Sequence, residues 1–209
     1  MKNHRLESLV LGPVQTNVYF AMNRETGAMF VVDPAAAADR IIRKIEQMQG
    51  KPEAILLTHG HFDHIGAARE VADRYGIPVM ALKEEAAMLQ EPALNASLMM
   101  VGQAVSLKAD RLLSDGEQLQ IAGFNIRVLH TPGHTAGGAC FYLEEEEVLF
   151  SGDTLFCGSI GRTDLPTGSM RALRESLHGT LYALPDRTLV YPGHGEMTDI
   201  AFEKQYNPY

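Results

Sequence analysis

The sequence predicts an α/β protein built from two mixed β-sheets packed together, with helices on the outside. Three observations carry this prediction. Short β-like runs alternate with helical ones along the chain. Each half contains both strands and helices, and no linker rich in Gly, Ser or Pro divides them. Two sheets that share an interior and carry helices on their outer faces are the economical arrangement for such a pattern.

Residues 18–22 and 29–32 read as strands about a turn at 23–27. Ile41, Ile42, Ile45 and Met48 recur at helical spacing, and Gly50 with Pro52 marks the end of that helix. Residues 54–57 form a short apolar strand. Residues 65–75 read as a helix with Val71, Ala72 and Tyr75 inward, closed by Gly76 and Pro78, and 79–82 is another strand. The Ala- and Met-rich segment 83–106 is expected to be mostly helical, interrupted at Pro92. Its Met88, Met99 and Met100 are read as flexible core packing, with the lining of a substrate mouth as the alternative. Strands follow at 118–121, 124–129, 138–143 and 148–150, with the acidic run 144–147 as a solvated hairpin turn. A helix then starts at the N-cap Ser169, with Met170, Leu173, Leu177 and Leu181 inward. Residues 188–191 are the last clear strand. The chain shows no tandem repeat and no low-complexity segment.

With 209 residues, 45% apolar and 21% charged, the chain suits one soluble domain, taken as residues 1–209. The net charge of −8 and the lack of a basic stretch argue against nucleic acid as a partner. No run approaches the ~20 apolar residues of a membrane span, so no membrane association is expected. The start, MKNHR, has the charge of a signal peptide, but the apolar run at 9–11 stops at Gly12 and Pro13. Two cysteines, Cys140 and Cys157, make no disulfide framework and suit a reducing compartment, so a cytoplasmic location is expected.

Five of the eight histidines, His59, His61, His64, His134 and His194, sit in short segments bounded by Gly, Pro or Asp. Asp63 and Asp153 have similar surroundings. Each segment directly follows a predicted strand. Strand ends give rigid support, and the turns after them let side chains converge. Four ligands as closely spaced as His59, His61, Asp63 and His64 cannot readily ring a single ion. The natural division gives His59 and His61 to one ion, and Asp63 and His64 to a second. His134 completes the first set and His194 the second, with Asp153 as the carboxylate that bridges them. Imidazole and carboxylate donors without thiolate suit Zn²⁺, with Fe or Mn²⁺ as replacements. His4, His130 and His178 read as structural residues.

At these residues the sequence resembles the metallo-β-lactamase superfamily, whose His-x-His-x-Asp-His signature is matched by His59, His61, Asp63 and His64. The stretches Thr131-Pro132-Gly133-His134-Thr135 and Gly152-Asp153-Thr154-Leu155-Phe156 are most similar to the glyoxalase II branch, the hydroxyacylglutathione hydrolases. The likeness runs from about residue 14 to residue 208. It implies an αββα sandwich with the site at one edge between the sheets. Asp153 in the bridging role sets the chain apart from class B β-lactamases, which usually carry a cysteine near that role, so antibiotic hydrolysis is not expected. Glyoxalase II enzymes also carry a C-terminal helical domain that helps hold glutathione, and the chain is expected to lack it. Arg162 matches the basic residue with which they grip glutathione, but two grip tyrosines are replaced by Asp164 and Glu196. The resemblance is therefore to short, single-domain glyoxalase II-like hydrolases of bacteria.

The expected activity is hydrolysis of a thioester, S-lactoylglutathione or a related acyl thioester. Two Zn²⁺ ions about 3.5–4 Å apart would share a hydroxide as nucleophile, and one ion would steady the oxyanion. Asp63 serves both as ligand and in orienting that nucleophile. Asp33 either orients a ligating imidazole or is a plain turn aspartate. Arg162 either meets a substrate carboxylate or is a surface charge. Cys157, without a base partner, is weak as a nucleophile. Two rivals stand beside this reading. A mono-iron persulfide dioxygenase shares the signature, and Gly161-Arg162-Thr163-Asp164 matches its loop after the bridging Asp. The other rival is a metal-binding module without catalysis.

Overall fold

The structure is a computed structural model in which residues 4–209 are described. Met1, Lys2 and Asn3, part of the charged start, lie outside the described residues. The first sheet has β1 (His4–Leu11), β2 (Thr16–Asn23), β3 (Ala28–Val32), β4 (Lys51–Leu57), β5 (Val79–Leu82) and β6 (Arg111–Leu113) in that spatial order. The β1–β2 and β2–β3 pairs are antiparallel, and the pairs from β3 to β6 are parallel. Helix α1 (Ala38–Met48) connects β3 to β4. Between β4 and β5 lie the short α2 (Phe62–Ile65) and α3 (Ala68–Tyr75); α4 (Ala86–Gln90) and α5 (Ser97–Val101) precede β6.

The second sheet begins with the antiparallel strands β7 (Gln118–Ile121), β8 (Phe124–His130), β9 (Ala139–Leu143) and β10 (Val148–Gly152). A small hairpin, β11 (Leu155–Phe156) with β12 (Ser159–Ile160), follows. Helix α6 (Met170–Gly179) leads to β13 (Leu189–Pro192), which lies parallel to β10. β14 (Thr198–Asp199) and α7 (Ile200–Tyr206) end the described chain.

Four layers follow from period-2 burial. In β4, Ala54 and Leu56 face the second sheet, whereas Ile55 and Leu57 face the α1 and α3 side. Both faces of β4 are covered, which is why its apolar run is continuous. Between the sheets, Phe30 meets Phe124 edge-on at 5.5 Å and Phe150 at 6.0 Å between ring centroids. Ile41, Ile45 and Val71 cover the outer face of the first sheet, and Leu173, Leu177 and Leu181 cover that of the second. The αββα arrangement is thus the one the sequence led us to expect.

Local departures have local causes. α1 ends on Gln49, left-handed at φ 56°, rather than on Gly50. Pro52 lies inside β4 opposite Met29, where the register shifts. The helix expected at 65–75 is two pieces, because the Ala67 N–H leaves the helical ladder to donate to Pro34 O at 2.9 Å. Segment 83–106 is less helical than expected. Asn95 and Ser97 side chains satisfy its backbone at the start of α5 and beyond it at Val105. Met88 is core, but Met99 is 64% and Met100 48% exposed, which overturns core packing for those two. Met170, expected inward, is half-exposed in the first turn of α6.

Candidate metal centre

The site lies where several strands end side by side. β3 ends before Asp33, β4 before Thr58 and His59, and β8 runs toward His134. β10 leads to Asp153 and β13 to His194. The two sheets are stitched together here. Ala139 N–H donates to Thr58 O and Asn17 N–H to Gly193 O, each at 2.8 Å. Asn17 Nδ2 donates to Pro192 O at 2.9 Å, and the Tyr19 hydroxyl donates to the same oxygen at 2.6 Å. Gly193 is required by close approach: a Cβ there would run into the Asp153 carboxylate and the His64 ring. Gly152, at φ 50°, faces Thr58 in the same way.

All seven side chains singled out in the sequence meet at this edge. Their donors include two groups, His59 with His61 and His134, and Asp63 with His64 and His194, each within 4.8 Å, while His59 and His64 also lie within that distance of one another and of Asp33. His61 Nδ1 and His134 Nε2 are 2.9 Å apart, and His64 Nε2 and His194 Nε2 are 3.3 Å apart. Asp153 lies between the groups. Its Oδ2 is 3.5 Å from both His134 Nε2 and His194 Nε2, and its Oδ1 is 3.4 Å from His64 Nε2.

Hydrogen bonds from behind aim these rings. Asp33, fully buried, accepts from Thr58 N–H at 2.8 Å and from the Thr58 hydroxyl at 2.5 Å. The same carboxylate lies 2.9 Å from His64 Nδ1, and Thr58 Oγ1 is 3.2 Å from His59 Nδ1. His134 Nδ1 donates to Arg162 O at 2.7 Å. In each case the second ring nitrogen is left for the centre of the site.

A cation fits this donor set. His59 Nε2 and Asp153 Oδ1 are buried and meet no hydrogen-bond partner among the described residues. Such orphaned groups cost about 1–3 kcal/mol each unless something ligates them. Burial, aided by the neighbouring imidazoles, holds His59 well below the ordinary histidine range and His61 at about 3, so both stay neutral as ligands must. Burial pushes the Asp63 carboxyl up, but the facing His64 and His194 outweigh it and hold the group below the usual carboxylate range. Burial pulls those two histidines down, but nearby carboxylates raise them above the ordinary histidine range, so both must give up protons to ligate.

Sequence reasoning missed two anchors. Thr16, fully buried, donates its hydroxyl to Asp63 Oδ2 at 2.7 Å. Glu85, equally buried, accepts from Gly60 N–H at 2.8 Å and from Gly137 N–H, tying together the loops that carry His59 and His134. Glu85 follows Glu84 in an Ala-rich stretch and gives no sequence signal; Thr16 had only its place before a strand. Arg162 reaches the rim of the central cleft, where its guanidinium forms two 2.7 Å bonds to Asp164. His130, at the end of β8, bonds Ala136 O at 2.8 Å, and His178 stacks edge-on with Tyr182.

The sequence profile of the metallo-β-lactamase superfamily matches residues 11–194. The chain belongs to the metallo-β-lactamase superfamily. Within this superfamily it is 41% identical to the probable metallo-hydrolase YqgX of Bacillus subtilis, over 95% of this chain and 94% of that one. It is 36% identical to the hydroxyacylglutathione hydrolase GloC of Haemophilus influenzae, over 98% and 97% respectively. Among solved structures, BLEG-1, described as a B3 metallo-β-lactamase, superposes with TM-score 0.94 at 43% identity, covering 98% of both chains. The protein is a metal-dependent hydrolase of this superfamily. No helix among the described residues is long and apolar enough to cross a membrane.

Proposed function

We propose that the protein hydrolyses an acyl thioester at a two-metal centre, in the manner of a short hydroxyacylglutathione hydrolase. In this reading His59, His61 and His134 would hold one ion and Asp63, His64 and His194 the other, with Asp153 placed to serve both. Zn²⁺ is the natural occupant, with Fe or Mn²⁺ as replacements. The observation that carries the reading is the position of Asp153 Oδ2, 3.5 Å from a histidine of each group. When bound, such ions supply a hydroxide nucleophile near neutral pH and Lewis acidity toward the carbonyl.

The chain's own residues do the rest. Thr16 holds the Asp63 carboxylate, which faces the cleft and orients the attacking water. Asp33 and Thr58 fix the imidazoles on both sides of the centre. A thiolate is a good leaving group, so no strong general acid is required. Arg162 stands at the rim and meets a substrate carboxylate by exchanging it for Asp164. We take residues 1–209 as one catalytic domain. Two free cysteines are consistent with a cytoplasmic protein, and the acidic charge of −8 with a small-molecule substrate rather than nucleic acid.

Asp153→Ala is expected to lose metal and thioesterase activity together. Full thioesterase activity in metal-free protein sinks the reading. A β-lactam belongs in the same panel, because Asp153 argues against that activity while the 43% identity to BLEG-1 favours it; turnover of the β-lactam in place of thioesters transfers the site to that reaction. The Gly161–Asp164 stretch favours the dioxygenase as the second reading, and oxygen uptake with glutathione persulfide decides it.

A further inference from the structure

We propose that the apolar wall beside the metal centre is a binding subsite for an apolar acyl chain of the thioester. This rests on the thioesterase reading above. The wall is built on α5, where Leu98, Met99, Met100 and Val101 are all about half-exposed or more, and where Met100 and Val101 line the clefts. Four adjacent apolar side chains in water are unusual on a soluble surface without a ligand or partner.

The helix is also held in place. Ala96 enters it in the left-handed conformation at φ 63°, and its start is tied by Asn95 and Ser97, both fully buried. Asn95 donates from Nδ2 to Val105 O at 2.8 Å and accepts from Ser97 N–H at 3.1 Å. Its backbone oxygen accepts from Phe62 N–H at 3.0 Å, linking α5 to the short helix that carries Asp63 and His64. Preorganised apolar surface binds at lower entropic cost than a mobile loop.

The wall is continuous with the reacting centre. Met100, Ala96, Phe62 and Val14 line the same cleft, about 120 Å³, as Asp63 and Asp153. A neighbouring cleft shares Phe62 and Asp63 and runs on to Val101 and Pro13. Among the described residues lining the two clefts, Arg162 is the one lysine or arginine, and Asp164 already neutralises it. That leaves Arg162 as the one partner for a substrate carboxylate, and the α5 side of the clefts carries none. A chain of methylenes finds methionine, valine and phenylalanine, and methionine adapts to irregular shapes.

The test uses metal-loaded protein and hydrolysis-inert probes, the S-ethyl and S-octyl thioethers of N-acetylcysteamine, titrated by calorimetry. Each fully buried methylene is worth about threefold to fourfold in affinity, so even partial burial predicts roughly tenfold tighter binding of the octyl probe. Met100→Glu is expected to flatten that difference, and a melting curve checks that the variant is folded. Equal affinity for the two probes in the wild type overturns the proposal, as does an octyl preference that Met100→Glu leaves intact. A parallel assay with acetyl to octanoyl thioesters of N-acetylcysteamine separates the two claims. Chain-length-dependent binding without hydrolysis of any thioester supports the subsite and overturns the thioesterase reading.

Discussion

The Asp33 carboxylate and the His64 ring meet at 2.9 Å between Oδ2 and Nδ1, and both groups are buried. The bond places the His64 proton on Nδ1 and leaves Nε2 facing Asp63, Asp153 and His194. Asp33→Asn is expected to weaken metal binding at the Asp63–His64–His194 group by about 10–100-fold. Asn tolerates the left-handed backbone at this position, φ 49°, so the change acts through the lost charge and the lost acceptor oxygen. A competitive chelator titration measures it; unchanged affinity for both ions removes Asp33 from the account.

Glu85 is expected to act on the protein's stability through two loops at once. Glu85→Ala leaves the Gly60 and Gly137 N–H groups without their acceptor. The expected loss is about 1–3 kcal/mol per orphaned group, with a smaller loss for Glu85→Gln. Urea unfolding of the two variants checks the order, and equal stability of Glu85→Ala and the wild type contradicts it.

The exposed Arg162–Asp164 pair predicts an affinity change rather than a rate change. An exposed ion pair is weak, so releasing Arg162 with Asp164→Asn is expected to lower the KM for S-lactoylglutathione by up to about fivefold. A neutral thioester is expected to be indifferent to the change. A rise in KM with the anionic substrate assigns Asp164, not Arg162, to substrate contact.

The two thiols are expected to differ in reactivity. Cys157 is exposed, whereas burial pushes the Cys140 thiol up to about 11. At pH 8 iodoacetamide is expected to label Cys157 alone in the folded protein, because Cys140 stays protonated until the pH nears 11. Peptide mapping reads the outcome; equal labelling of Cys140 contradicts its place beneath α6.

The layered fold was readable because β4 and the strands of the second sheet are apolar runs bounded by turns, and α1 and α6 are strongly periodic. The seven candidate ligands were readable because short polar segments after strands carry them. β1 escaped notice because its HRLESLVL run mixes charge with apolar residues on an edge strand, where one side is half-exposed. The break between α2 and α3 depends on Pro34, more than thirty residues away, and no local pattern announces that bond. Met99 and Met100 read as core because composition alone does not say which way a short helix turns. Glu85 and Thr16 owe their roles to partners distant in sequence, which spacing does not reveal.

The most direct test of the central claim is metal content and S-lactoylglutathione hydrolysis measured on the same purified sample. A two-metal thioesterase predicts close to two ions per chain, activity lost on chelation, and recovery in proportion to metal restored. One iron per chain, with oxygen consumed on glutathione persulfide and no thioester cleaved, contradicts it.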